Sequence, residues 1–344
     1  MKIFLKVLLL CAGLALFGWY LSDIGFEAVW RAILSLGPWA PLVLVPYFIV
    51  YNVDCLGWVQ TLPGRVFRTR GSASQPRIPF WTLLRIRWAG ESLNNLVPSA
   101  YVGGEALKVY LLRPHGVTTS EGTTSAVVSK TAQTLAQLAF VLLAALIFLF
   151  IAREQPGLRA ALALICLLGC AVVAGLFWVQ RLGAFRMLLA LVQRLRLKIG
   201  ALESRKAHLL ELDATILGFY REHPRRFYTS ALFYFGGWLL DTIEIYLVAH
   251  LLGMPITWPQ AIVMEAFTGV AKVLGMWIPG SLGVQESGII LMGRLAGLPD
   301  TLSAAYAVIR RARELIFAGI GMLLLYSRDG SLKETISTVA AEKI

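Results

Sequence analysis

The octapeptide PSAYVGGE at positions 98–105 has a counterpart, PGSLGVQE, at positions 279–286. The spacing of 181 positions continues without a gap, so that Glu105 aligns with Glu286 and Lys130 aligns with Arg311. Each copy therefore places a proline, small residues, an acid and a base within strongly apolar sequence. Charged side chains are costly in hydrocarbon unless they are paired or face water. The repeat predicts an internally duplicated membrane protein with a polar pathway through it.

The composition predicts an all-α, polytopic integral membrane protein. Of the 344 residues, 57% are hydrophobic, and the mean hydropathy is +0.68. A membrane-spanning helix needs about 20 mostly apolar residues. Six segments provide them: 3–21, 39–62, 126–151, 160–179, 227–252 and 302–326. We expect one transmembrane domain over residues 1–344, with about six full spans and two re-entrant helical hairpins.

The net charge of +12 reflects loop composition, and we do not expect a nucleic-acid partner. Basic residues gather at 65–77 and 181–226, between apolar segments, as is typical of cytoplasmic loops. We interpret 181–226 as a basic cytoplasmic connector, either an amphipathic helix on the anionic inner leaflet or a simple link. The four cysteines lie in apolar segments and the four histidines are scattered, so we predict no disulfide, metal or cofactor.

The distribution of charge predicts cytoplasmic termini and two inverted copies. Repeat 1, residues 80–151, consists of a hairpin at 80–112 and a span at 126–151. Repeat 2, residues 258–326, consists of a hairpin at 258–298 and a span at 302–326. Three spans separate the hairpins, so the hairpins should enter the membrane from opposite sides, a design that recurs in transporters. The predicted turn residues are Pro98, Gly103, Gly104, Pro279, Gly280 and Gly283.

The candidate substrate-binding and translocation residues are polar side chains set in apolar sequence. They are Asn94, Asn95, Glu105, Lys130, Asp241, Glu244, Glu286, Arg310, Arg311 and Arg313. Glu105 and Glu286 begin the returning helices, where they serve either the pathway or the helix N-terminus. Lys130 and Arg311 follow these acids by 25 positions, on the next span, so each base should face its acid or a shared cavity. We assign no catalytic residue.

The basic residues suit a phosphate group, which arginine can bind with two parallel hydrogen bonds. The alternative is a purely structural ion pair, such as Arg310 with Glu314 one helical turn later. The two asparagines either contact a headgroup or satisfy free carbonyl groups of a broken helix. Asp241 and Glu244 lie three positions apart on one helix face, which suits a cation or proton path better than a metal.

Two longer motifs carry a family resemblance. Residues 91–108, ESLNNLVPSAYVGGEALK, and residues 278–286, IPGSLGVQE, resemble the hallmark motifs of one flippase-like membrane family. This family is named for the transmembrane region of lysylphosphatidylglycerol synthase and includes the multiple-peptide-resistance flippase domain and hopanoid-associated membrane proteins. The resemblance covers nearly the whole chain. It implies a multi-pass protein that moves a lipid headgroup across the bacterial inner membrane. The synthase's soluble aminoacyl-transferase domain is absent here, so aminoacylation is not expected.

The favoured function is therefore that of a lipid translocase and not of an enzyme. Its lipid partner would be an anionic phospholipid, an aminoacylated lipid or a lipid-linked sugar. A membrane-embedded lipid-modifying transferase is the main alternative, and product formation from an activated donor would reveal it. A noncatalytic scaffold for lipid-synthesis enzymes is the other, and it predicts that the embedded charges could be neutralised with little effect. Homo-oligomer formation is left open.

Overall fold

The computed structural model describes residues 2–63, 78–96, 102–151, 206–276 and 278–326, with isolated positions between 157 and 178. Within these ranges all regular structure is helical. The first half contains α1 (Lys2–Ile24), α2 (Phe26–Ser35), α3 (Leu44–Val59), α4 (Phe80–Leu96), α5 (Val102–Leu112) and α6 (Thr119–Ile151). The second half contains α7 (Lys206–Glu222), α8 (Pro224–Leu251), α9 (Trp258–Leu274), α10 (Val284–Leu295) and α11 (Asp300–Tyr326). Short 3-10 turns occupy Gly37–Val43, Arg113–His115 and Pro279–Ser281.

Three helical stretches among the described residues are long and apolar enough to cross a bilayer: Gly37–Val59, Thr119–Leu149 and Pro224–Leu251. The prediction of an all-α membrane fold is confirmed at this level. Helix α11 is 27 residues long, about 40 Å at 1.5 Å per residue, but charged residues interrupt its apolar sequence. The predicted span at 160–179 is described only in short separate pieces, so it stays a prediction. The total of six spans and the re-entrant paths of the hairpins stay predictions.

Each copy of the repeat forms a pair of packed helices followed by a long helix. In the first copy α4 packs on α5, and α5 packs on α6. In the second copy α9 packs on α10, and α10 packs on α11. Each hairpin also contacts the long helix of the other copy: α4 packs on α11, and α9 packs on α6. The inverted orientation of the two copies in a membrane stays a prediction.

The turn of the second hairpin depends on glycine. A 3-10 turn covers Pro279–Ser281, and Gly280 and Gly283 have φ angles of 59° and 80°. Such positive φ angles strain residues that carry a Cβ atom, so glycine is favoured at both positions. Gly283 then caps α10, where its backbone N–H donates to the Glu286 carboxylate at 2.7 Å. The arrangement fixes the Glu286 side chain at the beginning of the returning helix.

The first hairpin differs from the prediction at its two glycines. Pro98 lies outside the described residues, whereas Gly103 and Gly104 belong to the first turn of α5 and not to the connecting turn. Gly104 is required for a different reason, namely the close approach of α5 to α4. A Cβ atom at position 104 would collide with the backbone carbonyl of Gly90 and with the side chain of Asn94.

The pair α3 and α8 forms the centre of the structure. The Ser230 hydroxyl of α8 donates to the Gly57 carbonyl of α3 at 2.8 Å. Aromatic rings pack α3 onto α4 and α11. Tyr47 and Tyr51 come from α3, Trp88 comes from α4 and Phe317 comes from α11. The Trp88 indole also donates to the Phe317 carbonyl at 2.8 Å, which ties the hairpin of the first copy to the long helix of the second.

The described part of the basic connector packs on the helical bundle. Helix α7 places Ile216 against Val128 and Ala132 of α6. Leu212, one turn earlier on the same helix, is also buried. Residues 181–205 lie outside the described residues, so the amphipathic membrane-surface segment stays a prediction.

Two adjacent glycines of α8 provide a test of the close contact between α3 and α8. A Cβ atom at Gly237 would lie 2.5 Å from the Asp54 Oδ1 atom, whereas one at Gly236 would meet nothing within 4 Å. Gly237→Ala is expected to lower the free energy of unfolding by about 1–2 kcal/mol because it overpacks this contact. Gly236→Ala should be neutral or slightly stabilising, since alanine favours helix. Thermal unfolding of both purified variants would check this pair, and equal midpoints would contradict the packing described.

Candidate functional site

The embedded charges form two clusters, one in each half of the chain. We define the first charged cluster as Asp54, Arg87, Glu91, Glu105, Lys108 and Lys130, contributed by α3 to α6. We define the second charged cluster as Asp241, Glu244, Glu265, Lys272, Glu286, Arg310, Arg311, Arg313 and Glu314, contributed by α8 to α11. The hairpin packing of each copy brings these side chains together across sequence separations of up to 76 positions.

The first charged cluster is a continuous chain of ion pairs. The Lys108 ammonium lies 2.7 Å from the Glu105 carboxylate and 3.5 Å from that of Glu91. The Lys130 ammonium approaches the same Glu105 oxygen at 3.5 Å. The Arg87 guanidinium contacts Asp54 of α3 at 2.8 Å and Glu91 at 3.8 Å. Three acids and three bases therefore balance one another, as buried charges require.

The second charged cluster contains one fully buried bidentate pair. The Arg310 guanidinium of α11 donates to both carboxylate oxygens of Glu265 on α9, at 2.5 and 2.9 Å. Glu265 is 0% exposed and Arg310 is 4% exposed. The Tyr306 hydroxyl donates to Glu265 at 3.3 Å and accepts from Arg310 at 2.6 Å. Such planar, two-bond geometry is the strongest form of the carboxylate–guanidinium contact.

Arg313 makes a second buried contact on the same helix. Its guanidinium lies 2.9 Å from Glu244 and 3.6 Å from Asp241, both on α8. The guanidinium carbon also lies 3.5 Å above the ring centre of Tyr47 from α3. A cation over an aromatic face is stabilised further when it is shielded from water. The side chain of Arg313 is 1% exposed, so it faces only protein groups.

A tyrosine from the opposite half covers an arginine in each cluster. In the first charged cluster, the Arg87 guanidinium carbon lies 5.6 Å from the ring centre of Tyr234 on α8. The Tyr234 hydroxyl is also 2.5 Å from Ser129 and accepts from Arg87 at 3.4 Å. In the second charged cluster, Tyr47 of α3 plays the corresponding role for Arg313. The central helices thus shield each cluster with a residue of the other half.

The two aligned acid–base pairs occupy corresponding positions. Lys130 approaches Glu105 at 3.5 Å, and Arg311 donates from Nε to Glu286 at 2.5 Å, with a further contact from its Nη2 atom. The residue three positions after each base is polar and contacts that base. Lys130 donates to the Gln133 side chain at 3.0 Å, and Arg311 contacts the Glu314 carboxylate at 3.0 Å.

Arg311 also lines a cavity of about 130 Å³ between the two copies. This cavity, which we call the hairpin pocket, lies where the end of α4 meets the second hairpin turn and α11. Its lining consists of Asn95, Leu96, Gly280, Leu282, Arg311, Glu314, Leu315 and Ala318. The Arg311 Nη1 atom donates to the Gly280 carbonyl at 2.9 Å, which holds the guanidinium against the turn. The hairpin pocket therefore presents one base, one acid and one amide among apolar side chains.

The predicted site residues are divided between three places. Asn95 and Arg311 line the hairpin pocket, with Glu286 directly behind Arg311. Glu105 and Lys130 belong to the first charged cluster. The remaining charged candidates, Asp241, Glu244, Arg310 and Arg313, are buried in the second charged cluster away from the pocket lining.

The three candidate arginines of α11, Arg310, Arg311 and Arg313, point to different places in the structure. Arg310 and Arg313 point their guanidinium groups at Glu265 and Glu244, so of the three only Arg311 lines the hairpin pocket. The physical reason is that Arg310 and Arg313 are buried at 4% and 1% exposure, where each needs a carboxylate. The predicted partner Glu314 lies only at 4.0 Å from Arg310 Nε.

Local contacts describe Asn94 and Glu286 further. The Asn94 side chain accepts from the Gly104 backbone N–H at 2.8 Å, whereas its Nδ2 atom has no hydrogen-bond partner among the described residues, so both interpretations of the asparagines stay predictions. Glu286 both caps α10 and pairs with Arg311. Among the described residues, no group of three or more His, Cys, Asp or Glu side chains is arranged to hold a metal ion.

Seven members of the clusters were not among the candidate residues: Asp54, Arg87, Glu91, Lys108, Glu265, Lys272 and Glu314. All seven are charged side chains within apolar sequence, which is the same signal that identified the candidates. Lys108 contacts the candidate Glu105, and Lys272 contacts Glu314 of the hairpin pocket at 3.0 Å. A search that treats every charged residue in apolar sequence as a candidate would have found them, whether or not the aligned position in the other copy is also charged.

Long apolar helices around paired, buried charges define a polytopic helical membrane protein. The chain belongs to the family described as Lysylphosphatidylglycerol synthase TM region, which matches residues 3–321. It is also similar to a UPF0104 membrane protein of Methanothermobacter thermautotrophicus. The two sequences are 28% identical over 234 residues, which cover 64% of this chain and 68% of that protein.

Proposed function

We propose that this protein moves the polar headgroup of a lipid between the two leaflets of a cytoplasmic membrane while the acyl chains remain in the bilayer. The observation that carries the proposal is Arg311, which lines the hairpin pocket at the junction of the two copies. A guanidinium group beside apolar side chains suits a phosphate ester attached to acyl chains. The family described above supports a membrane role for the chain.

The contacts of Arg311 suggest how a headgroup would be accepted. Its guanidinium contacts Glu286, Glu314 and the Gly280 carbonyl. A lipid phosphate entering the hairpin pocket would replace one of these acceptors with another negative group. The guanidinium would therefore never lose all of its partners, which keeps the cost of binding low in a medium of low dielectric. Leu282, Leu315 and Ala318 would face the first methylene groups of the lipid.

The first charged cluster would provide the corresponding site in the other copy. Lys130 holds the position that aligns with Arg311, and its side chain is 32% exposed. Its contacts with Glu105 and Gln133 resemble those of Arg311 with Glu286 and Glu314. In transporters built from inverted repeats, the repeats rock against each other around a site at their interface. We propose that the headgroup passes from one base to the other.

The test is headgroup translocation by the purified protein in proteoliposomes. The vesicles would contain a fluorescent phospholipid, and an impermeant reductant would report how much of it reaches the outer leaflet. Arg311→Gln is expected to reduce the initial rate by about 30-fold, the equivalent of about 2 kcal/mol, because loss of a buried charged partner costs at least this much. Arg311→Lys keeps the positive charge but loses the planar guanidinium group that can form two parallel hydrogen bonds. Its rate should lie between those of the wild type and Arg311→Gln.

The matched control is Arg31→Gln, because Arg31 forms an exposed i,i+4 pair with Glu27 and is not among the residues that line the hairpin pocket. It should translocate at the wild-type rate. A folded Arg311→Gln protein with unchanged activity would overturn the assignment of this residue. Absence of translocation by the wild type, together with a chemically modified lipid in the presence of an activated donor, would favour a transferase instead.

A further inference from the structure

The second charged cluster contains one more acid than it has bases. Among the described residues it includes five carboxyl groups, those of Asp241, Glu244, Glu265, Glu286 and Glu314. Its bases number four, namely Lys272, Arg310, Arg311 and Arg313. The neighbouring first charged cluster is balanced and offers no spare positive charge. If all groups were ionised, the second charged cluster would carry a buried, uncompensated negative charge.

An uncompensated carboxylate in such surroundings is unstable and takes up a proton instead. Four of the five carboxyl groups have a base close to them. Arg310 holds Glu265 at 2.5 Å, Arg313 lies 2.9 Å from Glu244, and Lys272 lies 3.0 Å from Glu314. Glu286 is held by the Arg311 guanidinium and by the backbone N–H of Gly283. Glu265, Glu286 and Glu314 also accept hydrogen bonds, so each of them is best accommodated in its ionised form. Glu244 lies close to Arg313, but neither of its carboxylate oxygens has a hydrogen-bond partner among the described residues.

Asp241 lies farther from any base than the other four carboxyl groups do. Its nearest contacts with bases are 3.7 Å to Arg310 and 3.6 Å to Arg313, both longer than a hydrogen bond. The residue is 6% exposed, and its Oδ1 atom lacks a hydrogen-bond partner among the described residues. The charged or titratable groups that face it are Glu244 on its own helix, Glu265 on α9, Arg310 and Arg313 on α11, and Tyr47 on α3. Both arginines already serve closer carboxylates.

We propose that Asp241 binds one exchangeable proton at neutral pH and that this proton is linked to headgroup binding in the hairpin pocket. The link follows a chain of contacts: Arg311 lies 3.0 Å from Glu314, Glu314 lies 4.0 Å from Arg310, and Arg310 lies 3.7 Å from Asp241. An anionic headgroup on Arg311 adds a negative charge to a cluster that is balanced only while Asp241 is protonated. It therefore favours the protonated form of Asp241.

Thermodynamic linkage makes this effect reciprocal, so protonation of Asp241 also favours binding of the anionic headgroup. Neutral Asp241 removes one competitor for Arg310, which can then approach Glu314 and release Arg311 for the phosphate. A proton gradient would accordingly bias the direction in which the headgroup moves. This link, but not the proton site itself, rests on the proposed function.

The proton site is tested by infrared spectroscopy of the purified protein at neutral pH. A protonated carboxyl group in an apolar environment has a C=O stretch separate from that of carboxylates. Asp241→Asn is expected to remove one such band, whereas Asp300→Asn should not, because Asp300 is exposed and paired with Arg294. A spectrum in which Asp241→Asn removes no protonated carboxyl band would overturn the proposal.

A stability comparison tests the same site if the infrared bands overlap. Asp241→Asn replaces a neutral acid by a neutral amide, so the unfolding midpoint at neutral pH should stay at the wild-type value. Asp54→Asn is the matched substitution in the balanced first charged cluster, where the carboxylate contacts Arg87 at 2.8 Å, and it should lower the midpoint. Equal destabilisation by the two variants, or failure of Asp241→Asn alone to fold, would show that Asp241 is ionised and would overturn the site.

The link is tested in the proteoliposome assay with an imposed pH gradient. The wild-type rate for an anionic phospholipid should change several-fold when the gradient is reversed, and Asp241→Asn should show the same rate in both directions. A wild-type rate independent of the gradient would overturn the link while leaving the infrared result standing. An Asp241-dependent infrared band in a protein without any translocation would support the proton site and count against the proposed function.

Discussion

Arg310→Met is expected to lower the free energy of unfolding by about 3–5 kcal/mol, because it leaves Glu265 buried without its partner. Methionine resembles the arginine stem in length, so the loss would come from the charge and not from a large cavity. The measurement is the unfolding midpoint of the purified protein in a mixed-detergent titration. The expected loss is a large fraction of the roughly 5–15 kcal/mol that stabilises most folded domains.

The matched control for this prediction is Arg294→Met. Arg294 pairs with Asp23 and Asp300 at the surface, where its side chain is 35% exposed. Surface ion pairs contribute little to stability, so this variant should unfold close to the wild type. The double variant Arg310→Met with Glu265→Leu should recover much of the loss, because it removes the unpaired carboxylate as well. Similar midpoints for Arg310→Met and Arg294→Met would contradict the buried pair.

Gly104→Ala is expected to be nearly as damaging, at about 3 kcal/mol, because the added Cβ atom would meet the Gly90 carbonyl of the facing helix. Backbone cannot rotate away as a side chain can, so α5 would have to move from α4. That movement would break the hydrogen bond between Gly104 and Asn94 and would shift Glu105 away from Lys130. We expect a lower unfolding midpoint and loss of translocation together.

Gly319→Ala serves as its control, since a Cβ atom at position 319 of α11 would meet nothing within 4 Å. Alanine favours helix over glycine, so this variant should be at least as stable as the wild type. If Gly104→Ala were as stable as Gly319→Ala, the close packing of α4 on α5 would be wrong.

The sequence was informative where a contact follows from the repeat itself. The alignment of Glu105 with Glu286 and of Lys130 with Arg311 predicted that each base faces its acid or a shared cavity, and the structure places both pairs in contact. The helical class and three long apolar helices among the described residues likewise follow from composition.

The contacts that sequence reasoning missed depend on packing between elements that are distant in the chain. Glu314 was the partner considered for Arg310 in the structural alternative, because the two are one turn apart, yet Glu265, 45 positions earlier, holds it. This choice depends on how α9 lies against α11, which no local pattern encodes. Gly104 was placed in the turn for a similar reason. Glycine is used both for unusual backbone angles and for close contacts, and the sequence does not distinguish them.

The tyrosines that cover Arg87 and Arg313 have a consequence for motion. Tyr234 belongs to the second half but lies on an arginine of the first, and Tyr47 belongs to the first half but lies on an arginine of the second. If the halves rock against each other, both rings must slide from the cations beneath them at the same moment. Water would then reach both charged clusters together, and neither cluster would be exposed independently of the other.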